Sequence, residues 1–247
     1  MMAYLYLKKI NIKTLNIITA FVLCLIAAIC TSICFLHGDI ALKTDGKSYA
    51  PIYNGDRNSA KVAVMINVYE GADVVDGMLA VLRDNNAKAT FFVGGCWADD
   101  NADLLVKILE EGHEIGSHGY FHRDHAKLNE SQNKEEMAAN DALIRRLTGY
   151  EVKLFAPPSG SYSVATLKVA ENMGYKTIMW SKDTIDWRDK DKKLIISRAT
   201  KNVVGGDLIL MHPKKQTLEA LPEILNYYNK AGLTPVTVSD CLGYGEG

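Results

Sequence analysis

Four of the six histidines in this 247-residue chain fall in one window, residues 111–125, which reads "EGHEIGSHGYFHRDH". His118 and His122 are four apart, so on a helical turn both rings lie on one face and can reach a single ion. His113 and His125 read as solvated or capping residues, and Tyr120 and Phe121 as packing. Two imidazoles are only part of a ligand set. Further donors and proton carriers must come from elsewhere in the chain.

Side chains of that kind recur just after apolar runs. Asn67 ends "KVAVMIN", with Glu70 and Asp73 close behind. Pro157, Pro158, Ser159 and Gly160 follow "KLFA". Asp183, Asp186 and Trp187 follow "KTIMW", and His212 follows "DLILM". Serine nucleophile chemistry has no support, because neither "PSGSYS" nor "GSHG" is a G-x-S-x-G elbow.

The elements that must position these residues are legible in the apolar pattern. Strand-like runs are "KVAVMINV", "ATFFV", "HEIG", "KLFA", "KTIMW", "DLILM" and "TPVTV". Helix-like stretches lie between them, including residues 101–111, 132–147 and 216–231. Such alternation implies parallel strands with crossover helices, an α/β chain built as a distorted (β/α) barrel of about seven strands. In a barrel the loops after the strands meet on one face, which would gather the polar residues into one site.

Composition narrows the function. Hydrophobic residues make up 48% of the chain and the formal net charge is −1. Residues 1–37 hold Lys8, Lys9 and Lys13 and no acid, leaving 25 basic against 29 acidic residues in the remainder. A mildly acidic domain is not built to hold nucleic acid by charge. Residues 17–36, "IITAFVLCLIAAICTSICFL", carry no charge and at ~1.5 Å per residue span the ~30 Å hydrocarbon core. With the lysines ahead of them, they read as a single-pass membrane anchor with the N-terminus cytoplasmic and the domain outside. A cleaved signal peptide is the rival, but "CFLHGD" offers no A-x-A site. The expected organisation is a cytoplasmic segment over 1–16, the anchor over 17–36, a linker over 37–60 and one domain over 61–247. Only Cys96 and Cys241 lie outside the anchor, too few for a disulfide framework.

The region from Lys61 to Leu242 resembles the polysaccharide deacetylase family, whose shared region is the NodB homology domain (carbohydrate esterase family 4-like). "SHGYFH" is similar to the metal motif H-[ST]-x-x-H, with Gly119 in place of Ser or Thr. "DTIDW" is similar to D-x-x-D-W, and "LMH" to L-x-H. The resemblance implies a divalent metal, usually zinc, with cobalt or nickel as alternatives, held by His118 and His122. It implies His212 as the acid that protonates a leaving amine, kept protonated by Asp183. The substrate class would be an N-acetylated glycan, peptidoglycan first, and the activity N-deacetylation.

The first motif departs from the family's T-F-D-D-G. Aligning "MINVYEG" puts Asn67 at the base and Val68 at the third ligand, and Ala156 stands where an arginine usually holds the base. The chain thus resembles a branch with an altered first motif, leaving two readings open. In one the site is rewired: Asn67 contributes an oxygen to the metal, and a carboxylate, Asp73 ahead of Glu70, acts as base. In the other the domain is a membrane-anchored glycan-binding pseudoenzyme. A metal-free sugar-binding module would explain the aromatics but not the histidine spacing.

Overall fold

The computed structural model describes Thr19, Val22 and residues 42–44 and 47–244. The expected membrane span lies outside these residues apart from Thr19 and Val22, both helical. Among the described residues no helix is long and apolar enough to cross a membrane.

Among the described residues, eight strands and eight α-helices follow a small ribbon of Leu42–Thr44 and Lys47–Tyr49, alternating except where two helices and, later, two short strands are consecutive. The strands are β1 (Lys61–Val68), β2 (Ala89–Val93), β3 (Glu114–Ser117), β4 (Leu154–Phe155), β5 (Lys176–Thr177), β6 (Lys182–Asp183), β7 (Leu208–Met211) and β8 (Thr234–Val236). The α-helices are α1 (Ala72–Asp84), α2 (Gly95–Asp100), α3 (Ala102–Glu110), α4 (Glu130–Thr148), α5 (Val164–Asn172), α6 (Lys192–Thr200), α7 (Lys215–Lys230) and α8 (Val238–Cys241). Seven strands run in the order β5-β4-β3-β2-β1-β7-β6, and β8 joins the first half of β1. The pairings are parallel. The result is a distorted half-barrel. The two-residue β6 was not expected as a strand, since Lys182 and Asp183 carry no apolar signal.

Strand β1 shows why the sheet forms and how it points at a site. Every residue from Val62 to Val68 is buried, as parallel strands covered on both faces require. Val62, Val64, Ile66 and Val68 pack in the layer under the helices, whereas Ala63 and Met65 pack inside the curve of the sheet with Phe92, Leu154, Ile178 and Leu208. Burial of each large side chain is worth about 1.5–3 kcal/mol. Side chains alternate with period two, so the inward series Ala63, Met65 continues to Asn67 and the series Leu208, Leu210 continues to His212. The polar residues at the strand ends are thus the next inward positions once the apolar core is filled.

The stretch expected as a linker is, from Tyr49 onward, laid against this domain. Ile52 pairs with Ile178 and Asn54 with Asp207, and Gly55 N–H donates to Gly206 O at 2.7 Å. It reaches from the β5 edge to the foot of β7. Cys96 is exposed, Cys241 is buried, and the two are not bonded to each other.

Candidate active site

A cavity of about 270 Å³ opens at the C-terminal ends of the strands, lined by Asn67, Tyr69, His118, His122, Asp183 and His212 together with Ser159, Trp180, Trp187 and Leu210. Five of the six expected site residues therefore meet: Asn67, His118, His122, Asp183 and His212. Asp73 does not join them. Helix α1 begins immediately after Gly71 and turns Asp73 to the exposed side of its first turn. The start is fixed by Gly71, whose φ of 77° suits glycine and where a Cβ would sit 2.5 Å from Pro213 O. Glu70 is also outside the cavity, in an ion pair with Lys214.

The two histidines are presented by a loop, not by a helical turn. His118 follows β3 directly, and His122 has φ 54°. Their ring centroids are 5.0 Å apart. His118 Nδ1–H donates to Ala156 O at 2.7 Å, which leaves its Nε2 lone pair for the cavity. Burial pushes the His118 imidazole well below the ordinary histidine range, and the neighbouring His122 adds to this. Burial lowers His122 as well. Both rings are thus neutral at pH 7, the form that ligates a metal.

The loop is held from beneath by helix α4. One Glu136 oxygen accepts the backbone N–H groups of Tyr120 and Phe121 at 3.0 and 2.9 Å. Asn140 Nδ2 donates to Val93 O at 2.8 Å and Ser117 Oγ at 2.9 Å. Asn133 Oδ1 accepts from His125 Nδ1 at 2.7 Å. Asn133, Glu136 and Asn140 are buried on one face of α4, three and four residues apart. That polar stripe among Met137 and Ile144 is the sequence signal for this support, absent from the motifs that mark the site. His113 and His125, expected as solvated or capping residues, are not solvated, since both are buried, and Phe121 is 65% exposed instead of packed. Gly119 replaces Ser or Thr because its φ is 72° and a Cβ there would lie 2.9 Å from His125 Nε2.

The expected partner of His212 is also corrected. Asp186, fully buried, takes His212 Nδ1 on Oδ1 at 2.7 Å and His212 N–H on Oδ2 at 2.7 Å. Thr217 Oγ1 donates to the same Oδ2 at 2.6 Å. Asp183 lines the cavity but its Oδ1 accepts from Ile185 N–H at 2.7 Å. With Nδ1 bound to Asp186, Nε2 is the His212 nitrogen left for chemistry.

The first motif looks different in three dimensions. Val68 is buried in the outer layer of the core and faces away from the cavity, so it is no stand-in for a ligand. Tyr69 is the next cavity-facing residue after Asn67, and its ring lies 4.0 Å from that of His122. Counting back from Gly71 sets Tyr69 and Glu70 against the two aspartates of D-D-G. Burial, and then the charge of Glu70, raise the Tyr69 phenol above its ordinary value, so it carries no negative charge at neutral pH.

The donor set fits a divalent cation in part. Two neutral imidazoles face the cavity, and the buried Asn67 Oδ1 has no hydrogen-bond partner among the described residues. An acceptor left unpartnered in a polar cavity is costly unless a cation or donor meets it. Among the described residues, however, no three His, Cys, Asp or Glu side chains converge to hold a metal. Catalytic zinc sites usually take three protein ligands, so an ion here would rest on His118, His122 and a neutral amide oxygen.

Residues 55–178 match the family model for polysaccharide deacetylase. Over 177 residues the chain is 37% identical to a peptidoglycan-N-acetylglucosamine deacetylase of Bacillus cereus, covering 68% of this chain and 81% of that one. It is 36% identical over 192 residues to the uncharacterised protein YlxY of Bacillus subtilis, covering 78% of this chain but spanning only 60% of that protein. A crystal structure of a CE4 family pseudoenzyme from Bacillus anthracis superposes with a TM-score of 0.77 at 31% identity, covering 81% of this chain and 71% of the other. A mutant of that pseudoenzyme with restored enzymatic activity superposes equally well, at 30% identity over 81% of this chain and 74% of the mutant. The chain belongs to the polysaccharide deacetylase family.

Proposed function

We propose that this domain binds N-acetylated amino sugars of a cell-wall polysaccharide, peptidoglycan first among them, in the histidine-lined cavity, and that its deacetylation is impaired at the water-activating step. The carrying observation is Tyr69. An uncharged phenol stands beside His122 at the point where the family's motif places its base. The names of the relatives support the substrate class, and the pseudoenzyme relative supports the impairment.

The half of the site that serves the leaving group is complete. His212, oriented by Asp186, presents Nε2 to the cavity, where it can hand a proton to the departing amine. The apolar and aromatic wall of Leu210, Trp180 and Trp187 suits a sugar ring and its acetyl methyl. His118, His122 and the Asn67 amide oxygen would hold a divalent metal, zinc ahead of cobalt or nickel. Such an ion, when bound, lowers the pKa of a water and stabilises an oxyanion.

A rewired and active deacetylase is the second reading. It is favoured by Asp183, the one carboxylate among the residues that line the cavity. Residues 17–36 are proposed as the tether that keeps the domain outside the cell membrane, on the strength of their uncharged run behind three lysines.

The full chain, assayed with N-acetylated glycan oligomers and added zinc, cobalt or nickel, separates the readings. Binding with acetate release far below that of the Bacillus cereus enzyme supports the proposal. Release at the rate of that enzyme would establish the second reading, and no binding to any N-acetylated oligomer would overturn both.

A further inference from the structure

Trp180, part of the cavity wall, sits in the stretch that carries the chain from β5 to β6. The segment 49–60, laid against the domain, holds both neighbours of that tryptophan. Before it, Met179 N–H donates to Ile52 O at 2.7 Å. After it, Ser181 Oγ donates to Asp207 Oδ1 at 2.7 Å, and Arg57 Nη1 donates to the same oxygen at 2.6 Å. Asp207 is buried, and its Oδ2 takes the Val204 N–H at 3.0 Å. Lys182, 3.9 Å from Asp207, donates to Lys201 O instead. The Tyr53 hydroxyl lies 2.9 Å from that of Tyr162, in the loop that follows Ser159. Ser159 also lines the cavity, and a Cβ on Gly160 would be 2.7 Å from the Trp180 ring. The segment is seated without slack, since a Cβ on Gly205 would lie 1.7 Å from Ser59 O.

We propose that Arg57, with Ile52 and Tyr53, is a positioning residue that fixes the Trp180 wall against the bound sugar. The inference rests on the function proposed above and gives the segment ahead of β1 a part in ligand binding. An aromatic platform contributes most when its orientation is set before the ligand arrives, because ordering a side chain on binding costs affinity. Ile52 and Arg57 set it by fixing the backbone on either side of Trp180, and Tyr53 by holding the loop that packs on its ring. Arg57 is the charged member of the set, and a guanidinium on a carboxylate makes the stronger class of hydrogen bond. Without it Asp207 still meets Ser181, but the pair is no longer tied to the segment by that side chain.

The test measures binding of an N-acetylglucosamine tetramer to the full chain by calorimetry. Arg57→Met should weaken it about three- to ten-fold, the scale of leaving one side chain to be ordered on binding. Arg57→Lys, which keeps a cation at Asp207, should recover most of the loss. The indole N–H signal of Trp180 in the labelled protein, identified by its absence in Trp180→Phe, should shift in Arg57→Met before any glycan is added. The Trp187 signal should stay in place, whereas a general loosening of the domain would move both. If Arg57→Met does not fold, Tyr53→Phe decides in the same way, with an expected loss of about two- to three-fold. Wild-type affinity in the folded variant overturns the inference alone, as does a loss of affinity with the Trp180 signal unmoved. No binding by the wild type overturns the proposed function and this inference together.

Discussion

Asp186 grips His212 by both its ring and its backbone, taking Nδ1 on one oxygen and the amide N–H on the other, each at 2.7 Å. Thr217 Oγ1 completes the set on a carboxylate with no solvent exposure. Asp183, three residues earlier, makes one such bond, to Ile185 N–H. The two aspartates of the D-x-x-D-W motif therefore differ in kind.

Substitution should separate them. Asp186→Ala strands three donors in the interior and should cost about 3–5 kcal/mol of stability, the usual range for removing one partner of a buried pair. Asp183→Ala should cost about 1 kcal/mol. Chemical denaturation of the two variants measures the difference. Equal losses would mean that Asp183 shares the structural role.

Glu136 should govern the shape of the histidine loop. It accepts the N–H groups of Tyr120 and Phe121, the residues just ahead of His122, and Arg123 lies 3.8 Å from its other oxygen. Glu136→Ala leaves those two N–H groups without a partner. Their hydrogen exchange should accelerate about 10- to 100-fold, corresponding to ~1–3 kcal/mol of local stability. Unchanged exchange at Tyr120 and Phe121 would show that the loop holds its shape without the carboxylate.

Much of this was readable along the chain because it depends on local pattern. The runs that became β1, β2 and β7 are dominated by apolar residues, broken only by Lys61, Asn67 and Thr90, and strands buried on both faces need little context to be recognised. His118 and His122 were found by spacing, although a loop and not a helix delivers them. The errors fall where direction depends on a turn. Asp73 is the carboxylate expected to act as base, but the helix that starts after Gly71 rotates it outward. Asp183 was chosen over Asp186, yet the chain bends at Ile185, φ 54°, and Asp186 is the one carried under His212. Val68 was set in the site by counting residues, and the two-residue alternation of β1 puts it in the core. For Asp73 and Val68 the deciding signals are local, the glycine that starts the helix and the alternation of the strand, whereas the placing of Asp186 under His212 depends on a contact 26 residues along the chain.

His113 should make the domain acid-sensitive. Its Nδ1 accepts the Ala89 N–H at the start of β2 at 3.2 Å, so the ring must be neutral there. Burial, and then the charge of Lys88, push it down from 6.5 to about 4. The unfolded chain therefore binds a proton that the folded chain refuses between those values. Stability is unaffected above pH 6.5, declines as pH falls toward about 4, and loses up to about 3 kcal/mol from this group. His113→Asn keeps an acceptor near Ala89 without the titration. Denaturation of both proteins between pH 7 and about 4 should show a shallower decline in the variant. Parallel curves would remove His113 as the cause.

Tyr69 is where a carboxylate should matter most. Its ring faces the cavity 4.0 Å from His122, and Glu70-Gly71 follow it as the second aspartate and glycine follow in D-D-G. The phenol is raised above its ordinary value, so near neutral pH it cannot accept a proton from a water. Aspartate at this position would face the same cavity, opposite the His212–Asp186 pair that remains in place. It would supply both a base and the negative charge that the donor set of two imidazoles and an amide lacks. Tyr69→Asp should therefore raise acetate release by roughly 10²-fold or more with added metal, the scale of one positioned acid or base. The gain should vanish when His212→Ala is added, because the amine would then leave without its proton. Asp73→Asn, on the outer side of α1, should leave the gain intact. If Tyr69→Asp binds glycan and metal but releases no more acetate than wild type, the base position lies elsewhere, and Asp183 becomes the residue to substitute next.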